Sequence, residues 1–435
     1  MPSLVERLTG IAGSGYVLSG VECSPYVLEG RTPEAVVFPG SRDEVSAILA
    51  LASEVGTPVV PWGGGTRMSV GAPPQRAGIV LGVRRLDRIV EHEPGDLTAT
   101  AEAGITLATL QSSLGARGQW LSLDPPQADR ASLGGILASN ASGPRRHLYG
   151  TARDLLIGLT LVLADGTVVR GGGKVVKNVA GYDLPKLAVG SFGTLGLIVE
   201  ATVKLRPKPD VDHLVVLPFA ALADAGQIVR AVMASDLIPS AVELVDAEAV
   251  RAAGLPATGC AVLLGVDGLP EQVQWQEKEM ERLAGVRATV LDGAARDEAW
   301  TALGDLPRRA FTSPTAAMTW AVLPTQVAGV MADGREAAAR RKLGAAFASH
   351  AGVGLVSAVL GDAADAGEVA SVLVEWRRLV EERGGHAVLE WAPLAIKERV
   401  QVWEASGPAH RIMKRLKEEL DPRGILNPGR FVGGI

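Results

Sequence analysis

Three consecutive glycines, Gly63–Gly65, stand behind an apolar run in the stretch PWGGGTRMSVG, followed by a lone Thr66. Glycines in a row cost backbone entropy, so the chain must need φ > 0 or a close backbone approach at that point. The run ahead of them, TPVVPW, reads as a strand. Before it come AVVFPGS (Ala35–Ser41), a strand ended by Pro-Gly, and RDEVSAILALASEVG. In the latter, Val45, Ile48, Leu49, Ala52 and Val55 recur at helical spacing until Gly56 stops the helix. A β-α-β unit therefore delivers the glycines to the carboxyl end of a strand, where open α/β sheets place their ligands. Backbone N–H groups in such a loop can cradle a phosphate. Neither GxxxxGK[ST] nor a GxGxxG after the first strand occurs, which disfavours a P-loop hydrolase and a nicotinamide site.

The rest of the first half continues the pattern. GIVLGV and LTATAEAG read as strands, TLATLQSSLGARG as a helix, and LLIGLTLVLADGTVVRGGG as a hairpin turning at Asp165-Gly166. Further glycine-rich turns occur at SLGG, GTARD and SFGTLG. RPKPD marks a boundary near residue 207. Beyond it, HLVVLPF, SAVELVD, CAVLLGVDG, AMTWAVLP, VGLVSAVLG and HAVLEWAP read as strands. Helices are expected through Ile228–Met233, over VQWQEKEMERLAG, near Ala337–Ser349 and through Val372–Glu382. This predicts an antiparallel sheet with helices on one face, an α+β arrangement. The tail HRIMKRLKEELDPRGILNPGRF is a helix followed by an Asn-Pro-Gly turn.

Composition narrows the partners. At 435 residues the chain has room for two or three domains. A net charge of -5 argues against a nucleic-acid partner. No apolar run approaches the roughly 20 residues that span a bilayer, and the N-terminus lacks the pattern of a signal peptide. A cytoplasmic chain is expected, with any membrane association coming through a complex. Its two cysteines, Cys23 and Cys260, are too few to hold an iron–sulfur cluster.

PWGGGT, PPQADRASLGG, GPRR, KNVAGYDLPKLAVGSFGTLGLIVEATVKL and LDPRGILNPGRF together resemble the FAD-linked oxidase family, whose flavin fold is of the vanillyl-alcohol-oxidase type. Within it, the pairing of GPRR with KNVAGYDL most resembles the FAD-binding E subunit of bacterial three-subunit glycolate oxidases. The resemblance implies an α+β protein: a two-subdomain FAD-binding domain (1–206, divided near 125) and an α+β cap (207–405) with an antiparallel sheet. The segment 406–435 would return to the FAD domain. It implies FAD held noncovalently, with Trp62, Gly63, Gly64, Gly65, Thr66 and Arg67 around the pyrophosphate. Pro125, Leu133, Gly134, Gly135, Ser139, Gly143, Thr151, Asp154, Lys177, Asn178, Gly196 and Ile198 would complete the site. The implied partners are a sister FAD-containing subunit and an iron–sulfur subunit, with a small 2-hydroxy acid as substrate.

Departures from the family pattern bear on the chemistry. Hydroxy-acid-oxidising relatives carry a histidine-rich GDGN segment and a Glu-His pair that hold a metal. Here Gly361-Asp362 has no flanking histidine, and His386 stands alone with Glu390 four residues on. Phe192 replaces an acidic residue of the GSEGTLG turn. No metal is therefore expected. Arg145, Arg146, Tyr182 and His386 remain as the candidates for substrate contact. The readings left open are a flavoprotein subunit of a glycolate-oxidising complex, a self-sufficient D-2-hydroxy acid dehydrogenase, and a flavin-bearing subunit without redox work.

Overall fold

A computed structural model describes residues 2–76, 78–173, 183–362, 365–404 and 407–435. The chain divides into two compact units, Met1–Ser142 with Thr151–Lys208 and Ala405–Ile435, and Gly143–Gly150 with Pro209–Glu404.

The first unit is built on two main sheets, beside a two-residue pairing of Gln119–Trp120 with Arg206–Pro207. Strands β1 (Val17–Ser19), β2 (Ala35–Val37), β3 (Val59–Trp62) and β4 (Ile79–Gly82) lie in the order β1-β2-β4-β3. The last three are parallel, as the β-α-β reading requires, while β1 runs antiparallel to β2. The crossover helix Arg42–Val55 starts where Ser41 accepts the Glu44 amide, with Asp43 and Glu44 in its first turn, and ends at Gly56 in the left-handed conformation (φ 69°). Its Val45, Ile48, Leu49 and Ala52 are fully buried against the strands. The second sheet comprises β5 (Ile89–Glu93), β6 (Thr98–Glu102), β7 (Leu156–Val162), β8 (Val168–Gly172) and β9 (Leu197–Lys204). It is antiparallel throughout, in the order β5-β6-β9-β7-β8. The tail returns to this unit: the Val59 amide donates to the Ile425 carbonyl (2.8 Å), and the Asn427 amide to that of Val59 (2.8 Å).

The second unit is built on an eight-stranded antiparallel sheet. Its strands are β10 (Val211–Phe219), β11 (Ala241–Val245), β12 (Cys260–Gly268), β13 (Thr289–Leu291), β14 (Pro314–Ala321), β15 (Gly344–His350), β16 (Leu355–Gly361) and β17 (His386–Trp391). Side chains alternate between two cores: Val215 and Leu217 enter one, Leu214 and Val216 the other. Helices Leu222–Met233, Pro270–Ala284, Val327–Arg340 and Ala366–Glu381 cover the first face. There Trp320, Phe347 and Trp376 pack with ring centroids 5.1–5.5 Å apart.

Two expectations are corrected here. Helices lie on both faces of the sheet, because Ala247–Ala252 and Gly293–Gly304 bury Ala249, Val250, Ala299 and Leu303 on the second one. The helix expected near Ala337–Ser349 ends at Arg340; Lys342 turns the chain (φ 58°) and Gly344–His350 is strand β15. Its alanines favour a helix, but β15 pairs with both β11 and β16, and Phe347 completes the aromatic cluster. Tertiary pairing overrides local propensity. Among the described residues no helix is long and apolar enough to cross a membrane.

Candidate functional site

The first unit contains a cavity walled by several separate stretches of chain. Strand β3 runs straight into its wall. Trp62, Gly63, Gly64, Gly65, Thr66 and Arg67 line it from that side, Gly134, Gly135 and Ser139 from the short helix Leu133–Ser139, and Gly196 and Ile198 from the start of β9. Eleven residues singled out from the sequence thus converge on one space.

The glycines answer to two demands. Gly65 takes φ 72°, which a side chain resists. Gly63 and Gly64 are required by packing: a Cβ on Gly64 would overlap the Arg130 carbonyl oxygen, and one on Gly63 the Ser132 hydroxyl. The loop after β3 therefore nests against 130–132. Ser132 in turn caps the helix Leu133–Ser139 by accepting the Gly135 amide (3.3 Å). Among the described residues, the amides of Gly63, Gly64, Gly65 and Thr66 find no protein acceptor. A row of unsatisfied N–H dipoles on a cavity wall is an anion cradle. Arg67 and the buried Arg430 add positive charge to the same wall.

Other sequence-predicted residues lie elsewhere. Leu133 is fully buried in the core with Ala99, Leu107 and Ile136, and Pro125 is buried outside the cavity wall. Thr151 and Asp154 form a capping box on Ala152–Leu155: the Asp154 carboxylate accepts the Thr151 amide (2.8 Å) and hydroxyl (2.9 Å). Burial would raise the Asp154 pKa, but these bonds prevail and hold it below the ordinary value. Gly143 belongs to the excursion Gly143–Gly150, which groups with the second unit rather than with the first. Lys177, Asn178 and Tyr182 fall outside the described residues.

That excursion also settles the place of Arg145. Its guanidinium bonds Asp212 (2.5 Å) and Asp267 (3.4 Å), while the Tyr149 hydroxyl donates to Asp267 (2.6 Å). Arg296 joins the same cluster through Asp212 (2.9 Å). Arg145 is thus engaged inside the second unit by two carboxylates rather than presented to a substrate. Arg146 sits on the next helical turn, Arg146–Tyr149. His386 is exposed and pairs through Nδ1 with Glu404, whereas Glu390 accepts from the Thr319 hydroxyl (3.1 Å). No group of three or more metal-ligating side chains occurs among the described residues.

Sequence reasoning missed several wall residues: Phe192, Gly193, Asn427 and Arg430. Phe192 and Asn427 adopt positive φ (52° and 47°), a strain that only the LNPG and SFGT turn patterns hint at. It also missed a cross-strand pair in the second unit, where the buried Glu243 holds His350 through Nδ1 (2.8 Å).

The FAD binding domain family matches residues 33–172, and the FAD-linked oxidase C-terminal domain family matches residues 208–431. The glycolate oxidase subunit GlcD of Bacillus subtilis (strain 168) is 33% identical over 420 residues, 92% of this chain and 89% of that one. The chain belongs to the FAD-linked oxidase family. A D-lactate dehydrogenase of Archaeoglobus fulgidus is 41% identical over 217 residues, 50% of this chain and 48% of that one. Among solved structures, p-cresol methylhydroxylase with substrate bound superposes with a TM-score of 0.79 at 18% identity, covering 98% of this chain and 96% of that one; that likeness concerns the fold. FAD is the cofactor of this oxidoreductase, and the cavity suits it in its unpaired amides and in the charge on its wall.

Proposed function

We propose that this FAD-linked oxidase is a flavoprotein subunit of a cytoplasmic complex that oxidises glycolate or a similar small 2-hydroxy acid. The observation that carries this reading is the 33% identity to a glycolate oxidase subunit across nearly the whole of both chains. Oxidation of the hydroxy acid to the oxo acid releases two electrons and two protons, and bound FAD supplies the electron acceptor. The chain's own part is to hold that group. The Gly63–Thr66 amides would take the diphosphate without a lysine, and Gly134, Gly135, Ser139, Gly196 and Ile198 would flank the rings, all without a covalent bond. Two cysteines leave any iron–sulfur cluster to a partner subunit.

An accessory role is favoured over a self-sufficient one by what the candidate substrate residues do. Arg145 is neutralised by Asp212 and Asp267, and His386 is engaged through Nδ1 by Glu404. Substrate chemistry then falls to the sister flavoprotein, with an iron–sulfur subunit carrying electrons onward. Anaerobic titration tests this. The purified chain is expected to carry oxidised flavin that glycolate and D-lactate leave yellow, and to be bleached once its copurifying subunits are present. Bleaching of the lone chain would establish the self-sufficient dehydrogenase instead. A flavin that stays oxidised in the turning-over complex would assign the chain a structural role.

A further inference from the structure

The C-terminal residues 417–430 reach two separate walls of the cavity, and they do so through side chains that sequence reasoning did not single out. Lys417, buried at 8% exposure, donates to the Thr194 carbonyl (2.8 Å), the Leu426 carbonyl (2.7 Å) and the Asp421 carboxylate (2.6 Å). Asp421 also accepts the amides of Ile425 (3.0 Å) and Leu426 (2.7 Å). The Asn427 carboxamide donates to the Phe192 carbonyl (2.7 Å). Arg430 donates to the carbonyls of Met68 (2.6 Å) and Val70 (2.7 Å), and its own carbonyl accepts the Ala72 amide (3.0 Å).

The segments held in this way line the cavity at Met68, Val70, Phe192 and Gly193, and neither is in regular secondary structure there. Phe192 sits at positive φ (52°), a conformation that costs a non-glycine residue, and its carbonyl is held from outside the turn by Asn427. Burying an ammonium is costly unless all of its protons are accepted. Lys417 has three protons and three acceptors, two within the C-terminal stretch itself and one, the Thr194 carbonyl, on the remote turn, whereas filling space alone would need only an apolar side chain. The acceptors on both walls are backbone carbonyls, so the tail fixes main-chain geometry.

We propose that Lys417, Asn427 and Arg430 are positioning residues for the cofactor: a C-terminal clasp that sets the 61–70 wall and the 192–196 turn at the spacing FAD requires. The inference rests on the flavin reading of the cavity. The decisive variant is Asn427→Gly, because glycine tolerates φ 47°. It loses the link to the Phe192 carbonyl together with the side chain's share of the cavity wall, so exchange in the apoprotein reads the link apart from any direct contact with FAD. Its apoprotein is expected to melt within about 3 °C of wild type. FAD should bind about fivefold or more weakly, as for the loss of one buried hydrogen bond, and the visible flavin band should change shape. Amide exchange at 190–196 should speed up in the apoprotein, and Lys417→Met should speed it further. Unchanged affinity, spectrum and exchange in Asn427→Gly, with wild type retaining flavin, would overturn the clasp. A wild type that binds no FAD would overturn the cofactor reading instead, and unchanged 190–196 exchange would then still sink the clasp by itself.

Discussion

Asp246 caps the helix Ala247–Ala252 by accepting the Ala249 amide (2.9 Å), yet its second carboxylate oxygen is buried without a partner and the residue is 1% exposed. Burial, opposed by the bond from Ala249 and the charge of Arg335, pushes its pKa up to about 6. An unfolded aspartate titrates near 3.9, so between about pH 4 and 6 the native state binds more protons than the unfolded one. Stability from this group is therefore greatest below that window and declines as pH rises through it, by about 3 kcal/mol for a shift of this size. Asp246→Asn keeps the cap and removes the charge. Its unfolding free energy in denaturant is expected to lose this slope and to exceed wild type at pH 7; a slope identical to wild type would show that Asp246 is not the titrating group. At this same scale the sequence was legible only where residue type dictates conformation. Gly63–Gly65 announced themselves because glycine has one main use in such a place. Phe192 and Asn427 did not, since their positive φ is imposed by surroundings that no local pattern encodes.

Among elements, the helix of the first β-α-β unit could be read to the residue, because Ser41, the Val45–Ala52 stripe and Gly56 all point to it, while its strands are shorter than their apolar runs. Strand β15 could not, because GAAFASH carries a helical propensity that only its neighbours override. The glycine loop shows the same division. Its position after β3 was evident, but its nesting on Arg130–Ser132 is a contact between segments far apart in sequence. Gly64→Ala places a methyl group on the Arg130 carbonyl with no room to give. The variant is expected to lose FAD and to unfold at lower temperature, by several kcal/mol of overpacking. Gly10→Ala, in the open helix Leu4–Ala12, is its control and should gain about 0.5–1 kcal/mol. Flavin content after gel filtration reads the difference, and a Gly64→Ala protein as yellow as wild type would count against the nested loop as the cofactor's cradle.

For the whole molecule, the sequence suggests a boundary near RPKPD, where the composition shifts, but nothing in it foretells the stretch Gly143–Gly150 grouping with the second unit. GPRRHLYG looks like a flavin-domain loop because its sequence neighbours belong there, while its bonding partners Asp212 and Asp267 are remote in sequence and close in space. Two roles for Arg145 now make opposite forecasts. A residue held ready for a substrate carboxylate could be removed with little effect on folding, as at most surface sites. A residue neutralising two carboxylates, one of them with 4% side-chain exposure, could not. Among the described residues, Arg145→Met leaves Asp267 buried with only the Tyr149 hydroxyl, and Asp212 with Arg296. A loss of about 3 kcal/mol is expected, seen as faster amide exchange in 209–404. Adding Asp267→Leu should restore part of it, because an apolar replacement removes the stranded charge. If Arg145→Met instead kept wild-type stability while weakening substrate-dependent turnover, the arginine would return to the active site and this chain would regain its claim to oxidise the hydroxy acid by itself.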